Sequence, residues 1–245
     1  PPLELVFTVG EETGMHGARA LDLTRIEAQF GFVFDSGTPI GEMTISAPTQ
    51  ASQRIELQGV AAHAGVEPEK GINAIACAAA AISRCRQGRI DPETTCNIGV
   101  IEGGQATNIV PDLCRLRSEV RSRDLAKLSR QVAHLQEAFE TAATEFGCRL
   151  EFANREAYRG FRIEPDEPVA QLAAAAVRAA GEVASFAEGG GGSDANIFNA
   201  GGKRCLLMAC GERDPHTLQE SVAVSDVVAA ARVVAELIRL AGERR

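Results

Sequence analysis

Two adjacent carboxylates at the end of an apolar run are the first side chains in this sequence able to do chemistry. Glu11 and Glu12 follow Leu3-Glu4-Leu5-Val6-Phe7-Thr8-Val9 and are bracketed by Gly10 and Gly14. An isolated Glu-Glu pair is ordinarily a solvated turn. Delivered by a core strand, however, the two charges repel and must be desolvated or paired. A binuclear zinc centre uses such a pair well, one carboxylate binding metal while its neighbour takes a proton from water. Asp35, in Asp35-Ser36-Gly37, ends a second apolar run at 30–34 and would stand beside the glutamates at one sheet edge. Its plainer role is a turn-forming aspartate. His216 follows the apolar run at 205–209 and could reach the same edge. Two carboxylates and a histidine form a mixed N/O donor set suited to zinc, cobalt or manganese rather than calcium.

These groups need elements to carry them. Alternation in Leu5–Val9 predicts a strand, the acidic turn follows, and a helix is expected from about Met15 to Leu23. A strand at 30–34 then completes a strand–helix–strand pattern with polar residues at strand ends, which is α/β logic. From about Gly41 the pattern changes. Half-buried alternating strands are expected at 54–60, 97–101, 114–120 and 149–152, with helices at 71–86 and 125–146. Their β-α-β-β-α-β order is that of a ferredoxin-like unit. After Phe161 the α/β style resumes, with helices at 167–181, from Asp194, and at 225–241, and a buried strand at 205–209. The reading is therefore a larger domain, 1–45 and 162–245, interrupted by a smaller α+β insert at 46–161.

Bulk properties exclude several classes. The 245 residues carry a net charge of −8 with no basic stripe, no Trp and one Tyr, which argues against a nucleic-acid partner. Apolar stretches are too short or too broken to span a bilayer, so no membrane role is expected. Seven cysteines without CxxC spacing read as reduced, buried side chains of a cytoplasmic protein rather than a disulfide framework. Because the chain opens directly into an apparent core strand, its beginning looks cut.

Further segments join the carboxylates into one pattern. The words FTVGEETG, DSG, AAHAG, GINAI, GGQATNIVPD, RS, GGGGSDANIFNAGG and HTLQE occur in an order that resembles the M20 metallopeptidases. They look closest to the peptidase T-like group, from the first residues almost to the C terminus. The resemblance implies a zinc-exopeptidase-like α/β/α catalytic domain with an inserted lid and dimerisation domain, and two zinc ions per complete site. It implies Glu11 as general base, Glu12 and His216 as ligands of one zinc, and Asp35 as a ligand of the other. His63 resembles the lid histidine that reaches the partner subunit's site and polarises the scissile carbonyl, although by itself it could be a hinge residue. Asn108 and Arg121 resemble lid residues holding the substrate's carboxylate or backbone; a guanidinium fork suits a carboxylate, though a strand-end salt bridge would explain Arg121 equally. Gly192 and Ser193 close a glycine run that lacks the GK[ST] ending of a P-loop and resembles the family's loop beside the substrate pocket.

The sequence also departs from the family. The upstream HxD motif and the later aspartate that bridges both metals are absent, and His16 and His134 do not replace them. One metal would keep only Asp35, the other Glu12 and His216, so zinc is expected to bind weakly or not at all here. The function expected is a zinc-dependent exopeptidase acting on short peptides as an aminopeptidase and homodimer, with this polypeptide an incomplete portion. An N-acyl amino acid amidase on the same scaffold, or a non-catalytic dimerisation fragment, remain the alternatives.

Overall fold

The computed structural model describes residues 2–37 and 39–243. The chain divides into two units, Pro1–Pro48 with Arg159–Arg245, and Thr49–Tyr158. The first unit begins with α1 (His16–Ala20), β1 (Phe30–Phe34) and β2 (Glu42–Ala47). The second holds β3 (Thr49–Gln58), α2 (Ala74–Arg84), β4 (Gly88–Asp91), β5 (Thr94–Gly103), β6 (Leu113–Ser122), α3 (Leu125–Phe146) and β7 (Arg149–Tyr158). The first unit then resumes with β8 (Phe161–Arg162), α4 (Pro168–Ala179), β9 (Ser185–Glu188), α5 (Asp194–Ala200) and β10 (Arg204–Met208), ending with β11 (Glu212–Arg213), β12 (Ser221–Val222) and α6 (Val224–Glu243).

In the first unit, β1 and β10 run parallel in register from Phe30 opposite Arg204 to Phe34 opposite Met208. β2 lies antiparallel to β10 and β8 and parallel to β9. Leu206 and Met208 are fully buried in this sheet, as continuous apolar composition in a covered strand requires. Parallel pairing has a direct consequence for function. The chain leaves β1 and β10 at the same edge, so residues after Phe34 and after Met208 emerge together. Hydrogen bonds continue past the strand ends, from the Cys210 N–H to Ser36 O at 2.8 Å and from the Gly211 N–H to Gly37 O at 3.1 Å. Helix α4 starts with Pro168 at its first turn, where a missing N–H costs nothing. Its small, apolar side chains Val169, Leu172, Ala173, Ala176 and Val177 are all buried.

The second unit is a five-stranded antiparallel sheet in the order β4-β5-β6-β3-β7. Without the short β4, the path is the ferredoxin-like one. Alternation places Ala51, Gln53, Ile55 and Leu57 of β3 on the buried side. Leu135 and Phe139 of α3 join Ile55, Leu57 and Leu116 in one apolar cluster. The opposite face carries Arg54, Glu56, Arg115 and Arg117, with Glu56 paired to Arg115 at 2.7 Å. Helix α3 begins where Asp124 accepts the Ala126 and Lys127 N–H groups at 2.7 and 3.0 Å, and ends at Gly147 with φ of 75°. Both are standard stop and start signals.

Two sequence expectations fail. Leu5–Val9 forms no strand; it is extended chain without a ladder, and Phe7 and Val9 are 90% and 74% exposed. Alternating apolar residues make a strand only when a neighbour supplies hydrogen bonds and a covering face. The helix expected from about Met15 to Leu23 begins only at His16, after a left-handed Met15 with φ of 57°, and stops at Ala20, where Leu21 turns extended. No helix among the described residues is long and apolar enough to cross a membrane.

Truncating Phe139, which has no exposed surface, should cost about 3–5 kcal/mol. The Asp124→Ala change should cost about 1 kcal/mol through the lost cap. Denaturant melts of the two variants against wild type check both figures and their order.

Candidate active site

The glutamate turn is built by a tight crossing of backbones. Gly10 has φ of +66° and Gly14 of +124°, conformations that favour glycine. The Glu11 carbonyl accepts from Gly14 and Met15 N–H at 2.9 and 2.8 Å, and the Gly17 N–H reaches Val9 O at 2.7 Å. A Cβ on Gly17 would lie 2.4 Å from the Val9 nitrogen, so only glycine allows α1 to approach the segment that delivers Glu11.

At this turn the structure gathers charge. His216 Nδ1 lies 3.2 Å from Glu12 Oε2, although 204 positions of sequence separate the two residues. Asp35 stands just past β1, its N–H bonded to Met208 O at 3.3 Å. Desolvation, then the charges of Asp35, Glu12 and Asp194, lift Glu11 to about 7, with His216 opposing. Desolvation, then Glu212, Glu12 and Asp194, lift Asp35 to about 6, although much of its surface meets solvent. His216 itself sits in a left-handed conformation with φ of 61°, and Asp214 two residues earlier with φ of 53°. Such backbone is costly and persists only where neighbours fix it. Glu220 Oε2 accepts the His216 N–H at 3.0 Å, and the Thr217 hydroxyl donates to Asp214 O at 2.8 Å.

The donor types suit a zinc ion, but their number does not. A zinc centre needs three or four protein ligands, and among the described residues no group of three or more His, Cys, Asp or Glu side chains is gathered to hold a metal. Only Glu12 and His216 are brought within ion-pair distance of each other.

The remaining sequence candidates fall in separate places. In the second unit, His63 and Asn108 lie on adjoining loops: His63 bridges to Ile109, the Ala64 N–H reaches Asn108 O at 2.9 Å, and the Val110 N–H reaches Ala62 O at 2.9 Å. The exposed His63 accepts the Gly65 N–H on Nδ1 at 3.2 Å, which leaves Nε2 to carry the proton as an outward donor. Arg121 lies toward the opposite end of β6 from this pair of loops. Its guanidinium is held by Glu119 at 2.8 and 3.0 Å. In the first unit, Ser193 caps α5 by accepting the Ala195 N–H, with Asn196 returning to the Ser193 N–H at 3.1 Å. Gly192 precedes it on the glycine run. Sequence reasoning missed the next residue. Asp194 is 5% exposed, accepts the Thr8 hydroxyl at 2.5 Å on Oδ2, and keeps Oδ1 buried without a partner. Its signal was an acid at the first position of a helix that follows a glycine run, which by itself reads as an ordinary helix start.

The chain thus joins an α/β unit with acids at its parallel strand ends to a ferredoxin-like unit. The family model of the peptidase dimerisation domain matches residues 47–146. Over 241 residues the chain is 41% identical to the uncharacterised protein YqjE of Bacillus subtilis, covering 98% of this chain and 65% of that protein. Two solved structures are similar. One is the aminopeptidase PepT from Bacillus cereus, at 42% identity and a TM-score of 0.85, covering 94% of this chain and 62% of that one. The other is a tripeptidase from Staphylococcus aureus, at 38% identity and a TM-score of 0.90, covering 95% of this chain and 62% of that one. The chain thus spans somewhat less than two thirds of the length of each. It belongs to the M20 family, in the peptidase T-like branch.

The crowding of acids has a measurable sign. A carboxyl raised from 3.8 to about 6 binds its proton more tightly in the folded chain. Its contribution is present in full below the unfolded value and is lost as pH rises through about 6. In metal-free buffer, Asp35→Asn should therefore raise the melting temperature above wild type at pH 7.5, and the gap should close by pH 4. Calorimetry of both proteins across that range checks it.

Proposed function

We propose that this chain is the greater part of a zinc-dependent exopeptidase that removes residues from the amino end of short peptides. The observation that supports it most is the meeting of His216 with Glu12 at the strand ends, beside a Glu11 carboxyl lifted to about 7. A base with that affinity is matched to neutral pH. Glu11 takes the proton of the attacking water and returns it to the leaving amine. Glu12 and His216 would hold one zinc and Asp35 the other, with further donors required beyond those gathered here, and the metal would supply polarisation of the attacking water. Glycine run residues Gly192 and Ser193 border the peptide pocket.

The ferredoxin-like unit serves as lid and dimerisation domain in this reading. Strand β7 ends the sheet beside β3, and an edge strand is a natural place for pairing across a two-fold axis. His63, its Nε2 proton outward, is the donor to the developing oxyanion in the partner subunit's site. Asn108 and Arg121 bind the peptide backbone or terminal carboxylate, Arg121 by exchanging Glu119 for substrate. The seven free thiols suit the reducing cytoplasm.

The test compares this chain with a polypeptide of the relatives' full length. The chain alone should take up zinc weakly in metal analysis, whereas the longer protein should bind two ions and cleave tripeptides. Cleavage of N-acyl amino acids without action on tripeptides would overturn the peptidase reading. In the longer protein, His63→Ala should lower kcat about 10²–10³-fold with metal content unchanged. Mixing His63→Ala with Glu11→Ala chains should restore activity; no recovery in exchanging dimers would return His63 to its own subunit.

A further inference from the structure

Asp194 plays no part in the reading above, yet it is the most deeply buried acid near the site. Burying a carboxylate without full hydrogen bonding is unfavourable by several kcal/mol in general. One oxygen of Asp194 is satisfied by the Thr8 hydroxyl at 2.5 Å; the other is buried without any partner. An acid in the first turn of α5 gains from the helix dipole, but that gain does not require its second oxygen to be buried. A buried polar pair kept at that disadvantage is best explained by the arrangement it specifies.

The arrangement at stake is the course of residues 2–9. This segment has no strand ladder, and Leu3, Leu5, Phe7 and Val9 turn outward, so apolar burial does little to fix it. Its tethers are polar. Glu4 accepts the Glu27 and Ala28 N–H groups at 3.1 and 2.7 Å, Val9 O accepts from Gly17, and Thr8 donates to Asp194. Among these, the Thr8 contact joins the segment to α5, itself seated by Asn196 on the Pro48 and Arg159 carbonyls at 3.3 and 2.9 Å. Thr8 lies three residues before Glu11. A lateral drift at Thr8 is carried through Gly10 directly into the glutamate turn.

We propose that Asp194 is a positioning residue: through the Thr8 hydroxyl it locks the segment that sets Glu11 and Glu12, holding Glu12 in reach of His216. The charge of Asp194 bears on both Glu11 and Asp35, which places it near the cluster. This role rests on the reading of Glu11 and Glu12 as site carboxylates, but it concerns geometry in this chain and stands or falls apart from turnover.

The chain has four histidines, so the His216 ring signal can be followed by NMR and assigned by its loss in His216→Gln. In wild type, Glu12→Gln should shift that signal, since the two side chains touch. Thr8→Val, nearly isosteric, and Asp194→Ala should abolish this response and raise exchange of the Met15 and Gly17 amides at least tenfold, with α4 amides unchanged. Thr8→Ser and Asp194→Asn keep a donor and an acceptor and should behave as wild type. If Thr8→Val retains both the His216 response and slow exchange, or if Thr8→Ser loses them, the proposal is wrong. Should Asp194→Ala fail to fold, the Thr8 pair decides the matter alone.

Discussion

Like charge held at one sheet edge is the constraint on which the first unit depends. Desolvation, with the neighbouring charges of Glu12, Asp194 and Glu212, lifts Glu11 and Asp35 well above ordinary carboxyls. The parallel pairing of β1 with β10 brings Asp35 and the chain leading to His216 to this edge, and the polar tethers of residues 2–9 bring the glutamates. That pairing is in turn secured by buried apolar residues such as Leu206 and Met208. The hydrophobic sheet therefore does what the carboxylates oppose: it holds repelling groups together at a cost that a cation would relieve. His216 offsets part of the repulsion, and its left-handed backbone shows how far the chain departs from comfort to put it there.

Much of this was legible in the sequence, and what was not has a physical cause. Helix α3 matches its reading because Asp124, a sustained apolar period and Gly147 agree at every level. The strand at 30–34 is equally plain. Leu5–Val9 carries the same alternation and forms no strand, because periodicity records the chain's side of a contact and says nothing of whether the other side is present. The short strands β8, β9, β11 and β12 were invisible, since two to four residues carry no period. At the candidate site, residue type singled out Glu11, Glu12, Asp35 and His216, and the contact of Glu12 with His216 is tertiary. Asp194 went unread because its meaning lies in burial and in a bond to Thr8, 186 positions away.

The second unit shows a different division of labour. Its buried face is apolar and its outer face is a lattice of Arg and Glu side chains, so the sheet is stable without a cover and still offers partners along an edge. His63 and Asn108 sit on loops joined by backbone bonds rather than on the sheet. Function placed on bonded loops above a rigid sheet can move as a unit.

The outward row of Leu5, Phe7 and Val9 has a consequence for handling the protein. Leu5-Val6-Phe7-Thr8-Val9 is uncharged, proline-free and rich in β-branched and aromatic residues, and its apolar side chains are largely bare. Segments of that kind, when exposed, template cross-strand stacking between copies. Concentrated solutions of this chain will drift toward aggregates seeded at this uncovered stretch, and dilution, low temperature or a single charge in that row is the natural remedy.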